Sequence, residues 1–147
     1  MRAIIGLSAA LAAVVLAASS GAADPAACSL LTQPQVASAT GLKVGPGAPI
    51  AANTPTSCVW TDGAGSNVTL TFITLQAFNF GRTMPGASVT AVSGVGDDAY
   101  YLALGDQVGL GVKKGGLVFK VAVYKHVAVS EKEAAEKTLA LQVASKL

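Results

Sequence analysis

The chain has 147 residues, of which 52% are hydrophobic and only 12% are charged, and its formal net charge is +2 at pH 7. This length is enough for one domain that buries a core of its own. The ten basic and eight acidic residues form no large basic field, so the composition argues against binding to nucleic acid or to anionic lipid through charge.

Residues 1–23 have the order of a secretory leader. Arg2 gives a basic start, an almost wholly apolar segment reaches to Ala18, and small residues continue to Ala23. This order is typical of a signal peptide cleaved after Ala23, and its apolar run of about 16 residues is shorter than the roughly 20 that span a bilayer. We therefore expect a secreted or periplasmic bacterial protein with a single domain at residues 24–147 and no stable membrane span after cleavage.

The two cysteines, Cys28 and Cys58, both lie in the predicted mature region. An even number of cysteines in an exported chain predicts a disulfide bridge. A redox or metal-binding role is not indicated, because there is no Cys-x-x-Cys spacing and His126 is the only histidine. Lipidation of Cys28 is the alternative, although Pro25 stands where a lipidated cysteine needs a leucine-like residue.

The first predicted element of the mature region is a short helix. Thr32 can cap this helix, and Pro34 fits its first turn. Gly41 is a natural C-terminal stop. We therefore expect a helix over residues 33–40, followed by an irregular connection rich in glycine and proline.

Two strands are predicted next. The segment Ser57–Thr61 places Cys58 and Trp60 on the same side, and we expect Trp60 to pack in the core beside the disulfide. A Gly-rich turn then leads to the clearest alternation in the chain. The inward-facing residues of this second strand are Val68, Leu70 and Phe72.

The second half of the chain predicts further strands and a final helix. Residues 76–87 show no sustained period, whereas strands are expected at 88–92 and 98–103 and in a hairpin whose turn is Lys113–Gly116. Ser130 begins a capping box. After it, apolar residues recur every fourth position to the C-terminus: Ala135, Leu139, Val143 and Leu147.

These elements predict the α+β class. We expect an antiparallel, curved sheet of about five or six strands, with the N-terminal short helix and the C-terminal helix packed on one of its faces. The apolar stripe of the C-terminal helix must lie on something apolar, and the sheet is the only candidate.

The Gly-rich segment Gly94–Ala99 matches the pattern G-x-G-x-x-A, but Tyr100 and Tyr101 continue it as a strand. Dinucleotide binding requires a helix directly after such a loop, so we interpret the segment as a hairpin turn and expect no cofactor. Asp97 and Asp98 would point to opposite faces of a strand, which makes them a poor catalytic or metal-binding pair. No catalytic residue and no metal site are predicted.

Aromatic residues are only 5% of the chain, so their placement is informative. Only one of Tyr100 and Tyr101 can face inward if both lie in a strand, and the other would be exposed. We therefore expect partner contacts at four residues near the Gly-rich turns: Asp98, Tyr100, Tyr101 and Lys114.

Several short motifs together resemble a known group of proteins. They are Ala27–Thr32 (ACSLLT), Ser57–Trp60 (SCVW) and Val92–Tyr100 (VSGVGDDAY), followed by paired strands and a final helix. This order resembles small exported bacterial proteins of unknown function, many of them actinobacterial lipoproteins and some similar to extracellular sensor domains of receptor kinases. The resemblance implies a helix-flanked antiparallel sheet with a cysteine bridge near the N-terminus, and it implies no catalytic residue. This chain departs from the group in lacking a lipobox and a longer helix around residues 76–87.

The sequence therefore favours an exported, non-enzymatic binding module. Its partner would be a protein, a cell-envelope component or a small ligand, contacted by the open sheet face or by the Gly-rich turns. A special case is an inhibitor of a secreted enzyme. The alternative is a small secreted hydrolase or lyase that uses Asp98, Tyr100 or His126, which requires at least two of these residues to meet in one cleft.

Overall fold

The computed structural model describes residues 25–147, so the predicted signal peptide at 1–23 lies outside the described residues. One antiparallel sheet of seven strands, in the order β1-β2-β3-β7-β6-β5-β4, runs through this part of the chain. The elements in chain order are α1 (Ala27–Leu30), α2 (Gln33–Thr40), β1 (Ala48–Pro49), β2 (Ser57–Thr61), β3 (Asn67–Phe72), α3 (Leu75–Gly81), β4 (Ser88–Ala91), β5 (Asp98–Leu104), β6 (Gln107–Lys114), β7 (Leu117–Tyr124) and α4 (Val129–Ala144). No helix within residues 25–147 combines the length and the apolar composition that a membrane crossing needs.

The predicted α+β class and antiparallel sheet are confirmed, but the sheet has one strand more than expected. The additional strand is β1, which pairs Ala48 and Pro49 with β2. Two residues are too few to show an alternating pattern, so the sequence around them indicated only an irregular connection. The predicted boundaries of α2 and β2 agree with the structure, and Gly41 ends α2 with a left-handed φ of 69°.

One face of the sheet, here called the α4 face, carries the main core. Strand alternation brings the large apolar residues of the central strands onto this face, and α1, α2 and α4 cover it. The predicted helix placement agrees with the structure in outline: α4 packs on β6 and β7, α1 packs on β2 and β3, and α2 packs against α4. Fully buried side chains of this face include Trp60, Leu70, Leu110, Phe119, Val121 and Leu139.

The opposite face, here called the α3 face, carries a helix that the sequence did not predict. Helix α3 lies within the segment that showed no sustained period, and Thr74 caps it by accepting a hydrogen bond from the Ala77 N–H (3.1 Å). Phe78 is the large side chain that α3 buries, and it packs with Tyr100 and Val118. A helix of seven residues with one buried anchor is too short to give a helical period.

The predicted capping box at Ser130 is wrong. Helix α4 begins at Val129 with Ala128 at the N-cap and has no side-chain cap, so Ser130 lies inside the first turn. The apolar stripe that follows is confirmed, because Ala135, Leu139 and Val143 are all buried.

The predicted disulfide between Cys28 and Cys58 is confirmed and joins α1 to β2. Cys58 is fully buried, and Trp60 is buried on the same face of β2. Gly47 lies directly over both side chains, so that a Cβ at this position would collide with the Trp60 ring and the Cys58 sulfur. The bridge, the indole ring and the connection before β2 therefore form one packed unit.

Reducing the disulfide should lower the free energy of unfolding by about 3–4 kcal/mol, because the bridge closes a loop of 30 residues in the unfolded chain. Urea unfolding of the oxidised and the reduced protein measures this difference. A variant with both Cys28→Ala and Cys58→Ala is the control and should not respond to the reductant. Equal unfolding free energies in the two redox states would contradict the prediction.

Glu136 is a fully buried carboxyl group on the inner side of α4. The β6–β7 pairing ends at Leu110 and Val121, and the Val123 N–H beyond it donates to Glu136 Oε1 (2.9 Å). The second oxygen, Oε2, has no hydrogen-bond partner among the described residues. Burial raises the pKa of Glu136 from 4.5 to about 8, so the carboxyl group holds its proton at neutral pH in the folded chain.

The raised pKa predicts that stability falls as pH rises. Between about pH 4.5 and pH 8 the unfolded chain has lost the Glu136 proton while the folded chain keeps it, so each step up in pH favours unfolding. Glu136→Gln keeps the acceptor for Val123 and removes the titration. We expect this variant to be more stable than the parent at pH 8 by roughly 2–4 kcal/mol, with a small difference at pH 4.

Urea unfolding at pH 4, 6 and 8 measures this effect. Glu131→Gln, a change at an exposed position of the same helix, is the matched control and should follow the parent. Parallel stability curves for the parent and for Glu136→Gln would show that burial does not hold the proton on this carboxyl group.

Candidate functional site

Asp98, the first of the predicted contact residues, holds a neighbouring arginine. Its carboxylate pairs with the Arg82 guanidinium at 2.5 Å. The guanidinium lies over the Tyr100 ring, 4.6 Å from the ring centroid, and 5.2 Å from that of Phe78. Because Arg82 caps the C-terminal end of α3, this stack fastens the helix to the first residues of β5.

The two predicted contact tyrosines point to opposite faces, as strand geometry requires. Tyr100 is 3% exposed and donates its hydroxyl proton to the Phe78 carbonyl (2.6 Å) on the α3 face. Tyr101 is half-buried and donates to the Glu133 carbonyl (2.6 Å) on the α4 face, where burial raises its pKa to about 12. The expectation that one of them would be exposed is wrong, because helices cover β5 on both sides.

Asp97 is a turn residue that joins two loops. Its N–H donates to the Lys113 carbonyl (2.8 Å), and its carboxylate accepts the Gly115 N–H (2.6 Å) from the turn between β6 and β7. The Gly-rich segment before it leads into a strand and not into a helix, in agreement with the turn interpretation. Lys114, the remaining predicted contact, is half-buried beside the same turn.

Asp98, Tyr100 and His126 do not meet in one cleft. Asp98 is opposite Lys113 at one end of the central strands, whereas His126 is an exposed residue beyond the end of β7. The intervening length of strand separates Tyr100 from His126 by roughly 20 Å. Asp98 and Tyr100 do lie close together on one face of β5, where Arg82 contacts both, but the Asp98 carboxylate is paired with Arg82 and the Tyr100 hydroxyl donates to the Phe78 carbonyl. His126 does not join them. In the part of the chain that the structure describes, no three His, Cys, Asp or Glu residues are grouped to hold a metal ion.

A groove of about 250 Å³ lies between α3 and the sheet, on the α3 face. Its walls are apolar. Phe80 is 59% exposed on the helix side, and Tyr100 lines the groove from β5. The other apolar residues that line the groove are Ile73, Ala77, Met84 and Leu102.

The floor of the groove consists of two glycines of β6, Gly109 and Gly111. Neither has a positive φ, so the backbone conformation does not require glycine at these positions. The space above them is limited instead. A Cβ at 109 would collide with the side chain of Lys120, and one at 111 would press against the Phe78 ring at 3.3 Å.

Among the described residues that line the groove, Lys120 of β7 is the one that carries a charge. Its side chain crosses to the neighbouring strand and lies over Gly109, and the residue is half-buried. Within residues 25–147 its ammonium group has neither a hydrogen-bond acceptor nor an ion-pair partner, whereas Lys125, Lys132 and Lys146 each donate to a backbone carbonyl. The groove therefore combines apolar walls, a floor of two glycines partly covered by the Lys120 stem and the Phe78 ring, and the positive charge of Lys120.

Sequence reasoning did not identify this groove, although two signals for it were present. Glycine alternates with valine and leucine along β6, and Lys120 is the only charged residue in β7. Their connection depends on the register that brings Gly111 opposite Lys120, which the sequence does not show. Comparison of the chain with protein-family models, with curated proteins and with solved structures finds no match.

Tyr100→Phe should loosen α3, because the Phe78 carbonyl loses its buried donor, at a cost of about 1–2 kcal/mol in unfolding free energy. Hydrogen exchange should accelerate at the amides of α3 more than at those of α4. Tyr124→Phe, which alters a tyrosine that is 37% exposed, is the matched control. Unchanged exchange in α3 would show that this hydrogen bond does not hold the helix.

Proposed function

We propose that the protein is an exported, non-enzymatic binding module that receives its ligand in the groove beside α3. The leader-like residues 1–23 and the disulfide between Cys28 and Cys58 both fit an oxidising, extracytoplasmic location. The ligand is a small molecule or the apolar part of a cell-envelope component.

The groove itself is the observation that carries this proposal. Small-molecule sites are concave, mostly apolar and fitted with a few polar groups that orient the ligand. Here the apolar walls meet a single free ammonium group, that of Lys120. General acid–base catalysis needs a proton donor or acceptor held at the reacting atom. The Tyr100 hydroxyl is engaged with Phe78, which favours binding over catalysis in this groove.

NMR of the isotope-labelled, oxidised protein tests the proposal. The protein is titrated with small molecules extracted from the envelope and medium of its host. Compounds that bind should shift the amide signals of the groove residues Phe80, Leu102, Gly109 and Gly111. Amides of Leu139 and Val143, which are buried on the α4 face, report on effects elsewhere.

Phe80→Ala should weaken the binding of such a compound several-fold, because it removes one wall of the groove. Leu141→Ala is the matched control, since Leu141 is an apolar residue of similar exposure (44%) on α4. Amide shifts confined to residues outside the α3 face, or an unchanged affinity in Phe80→Ala, would refute a ligand site in this groove.

A further inference from the structure

We infer that the groove binds a single alkyl chain with an anionic head, of which a medium-chain carboxylate is the simplest example, with the head group at Lys120. This inference rests on the proposed function, because it names the class of ligand for the same groove. It follows from three features: the free cation, the shape of the floor and the scarcity of other charge.

The Lys120 ammonium provides the site for the head group. It lies among apolar side chains, where a charge–charge hydrogen bond is stronger than in open water. Arg82, the cation at the end of α3, is already paired with Asp98 and does not line the groove. A carboxylate that reaches Lys120 would therefore neutralise the one charge that the groove leaves uncompensated.

The floor and walls provide the site for the chain. Gly109 and Gly111, two residues apart on β6, bring no side chain of their own to the floor, where the aliphatic stem of Lys120 lies over Gly109 and the Phe78 ring lies against Gly111. Leu102 and Phe80 are among the apolar residues that line the groove around this floor. A flexible chain of methylene groups can follow the Lys120 stem and this apolar lining more readily than a rigid branched or polycyclic compound can.

The size of the groove limits the ligand to one chain. Its volume of about 250 Å³ lies below the roughly 300–1,000 Å³ of sites that enclose drug-sized ligands, so a lipid with two acyl chains exceeds it. A membrane surface is also disfavoured as the occupant, because attraction to anionic lipids needs several neighbouring cations and the groove has one. The ligand is therefore a dissolved, monomeric amphiphile.

Isothermal titration and NMR use three probes: decanoate, decanol and decyltrimethylammonium. Each is kept below its aggregation concentration. They share one chain length and differ in the charge of the head. Decanoate should bind the oxidised protein at one site and about tenfold more tightly than decanol, because its carboxylate makes a charged hydrogen bond with Lys120 that decanol cannot make. Decyltrimethylammonium should bind most weakly.

Lys120→Gln removes the charge and keeps much of the side-chain length. In this variant decanoate should lose about tenfold in affinity and become equal to decanol, while decanol binding is unchanged. Lys137→Gln is the matched control, since Lys137 is exposed on α4, on the opposite side of the sheet. It should leave all three affinities as in the parent.

Equal binding of decanoate and decanol by the parent protein would overturn the inference, and this result does not depend on whether Lys120→Gln folds. Lys120 would then only cover Gly109 with its aliphatic stem. Preferential binding to phosphatidylglycerol vesicles would overturn it as well. If no probe shifts the groove amides while another compound does, the ligand class is wrong and the proposed function stands. If every bound compound shifts amides outside the α3 face, the proposed function itself is wrong.

Discussion

The alternation of side-chain size along β6 is the constraint on which the rest of the structure depends. Val108, Leu110 and Val112 point to the α4 face and are buried there, whereas Gly109 and Gly111 point to the α3 face. Glycine weakens a strand because it adds backbone entropy and removes packing area. In β6, glycine lets Phe78 and Lys120 approach the backbone. This close approach positions α3 on the sheet and forms the floor of the groove.

Helix α3 divides the α3 face into a covered part and an open part. It is short and buries one aromatic side chain, so its position depends on contacts around Tyr100 and Arg82 rather than on helix propensity. Gly81 belongs to the same arrangement, because a Cβ there would collide with the Tyr100 hydroxyl. Residues that look like surface contacts in the sequence thus serve to position the helix beside which the groove opens.

The N-terminal and C-terminal halves of the chain contribute different parts of this arrangement. The disulfide and Trp60 anchor the N-terminal helices to β2, at one side of the sheet. Strands β5, β6 and β7 carry the groove on one face and α4 on the other. Glu136 lies where the β6–β7 pairing ends, so a buried carboxyl group takes over a backbone hydrogen bond of the sheet. The central strands therefore carry a tightly packed core on the α4 face, while the pairing between β6 and β7 stops at Leu110 and Val121.

Much of the fold could be predicted from the sequence because local patterns report burial directly. The alternation at Val68, Leu70 and Phe72, the cap at Thr32 with the stop at Gly41, and the pairing of two cysteines each depend on nearby residues or on composition alone. The site could not be predicted in the same way. Asp98 and Tyr100 were expected at a surface, but contacts with α3 bury or engage them, and Lys120 meets Gly109 only through the strand register. The sequence by itself determined the elements other than β1 and α3, and the face that each of them buries, since those follow from period and turn chemistry. Only the tertiary structure decided which face stays open and which cation is left free, because both depend on residues distant in the chain.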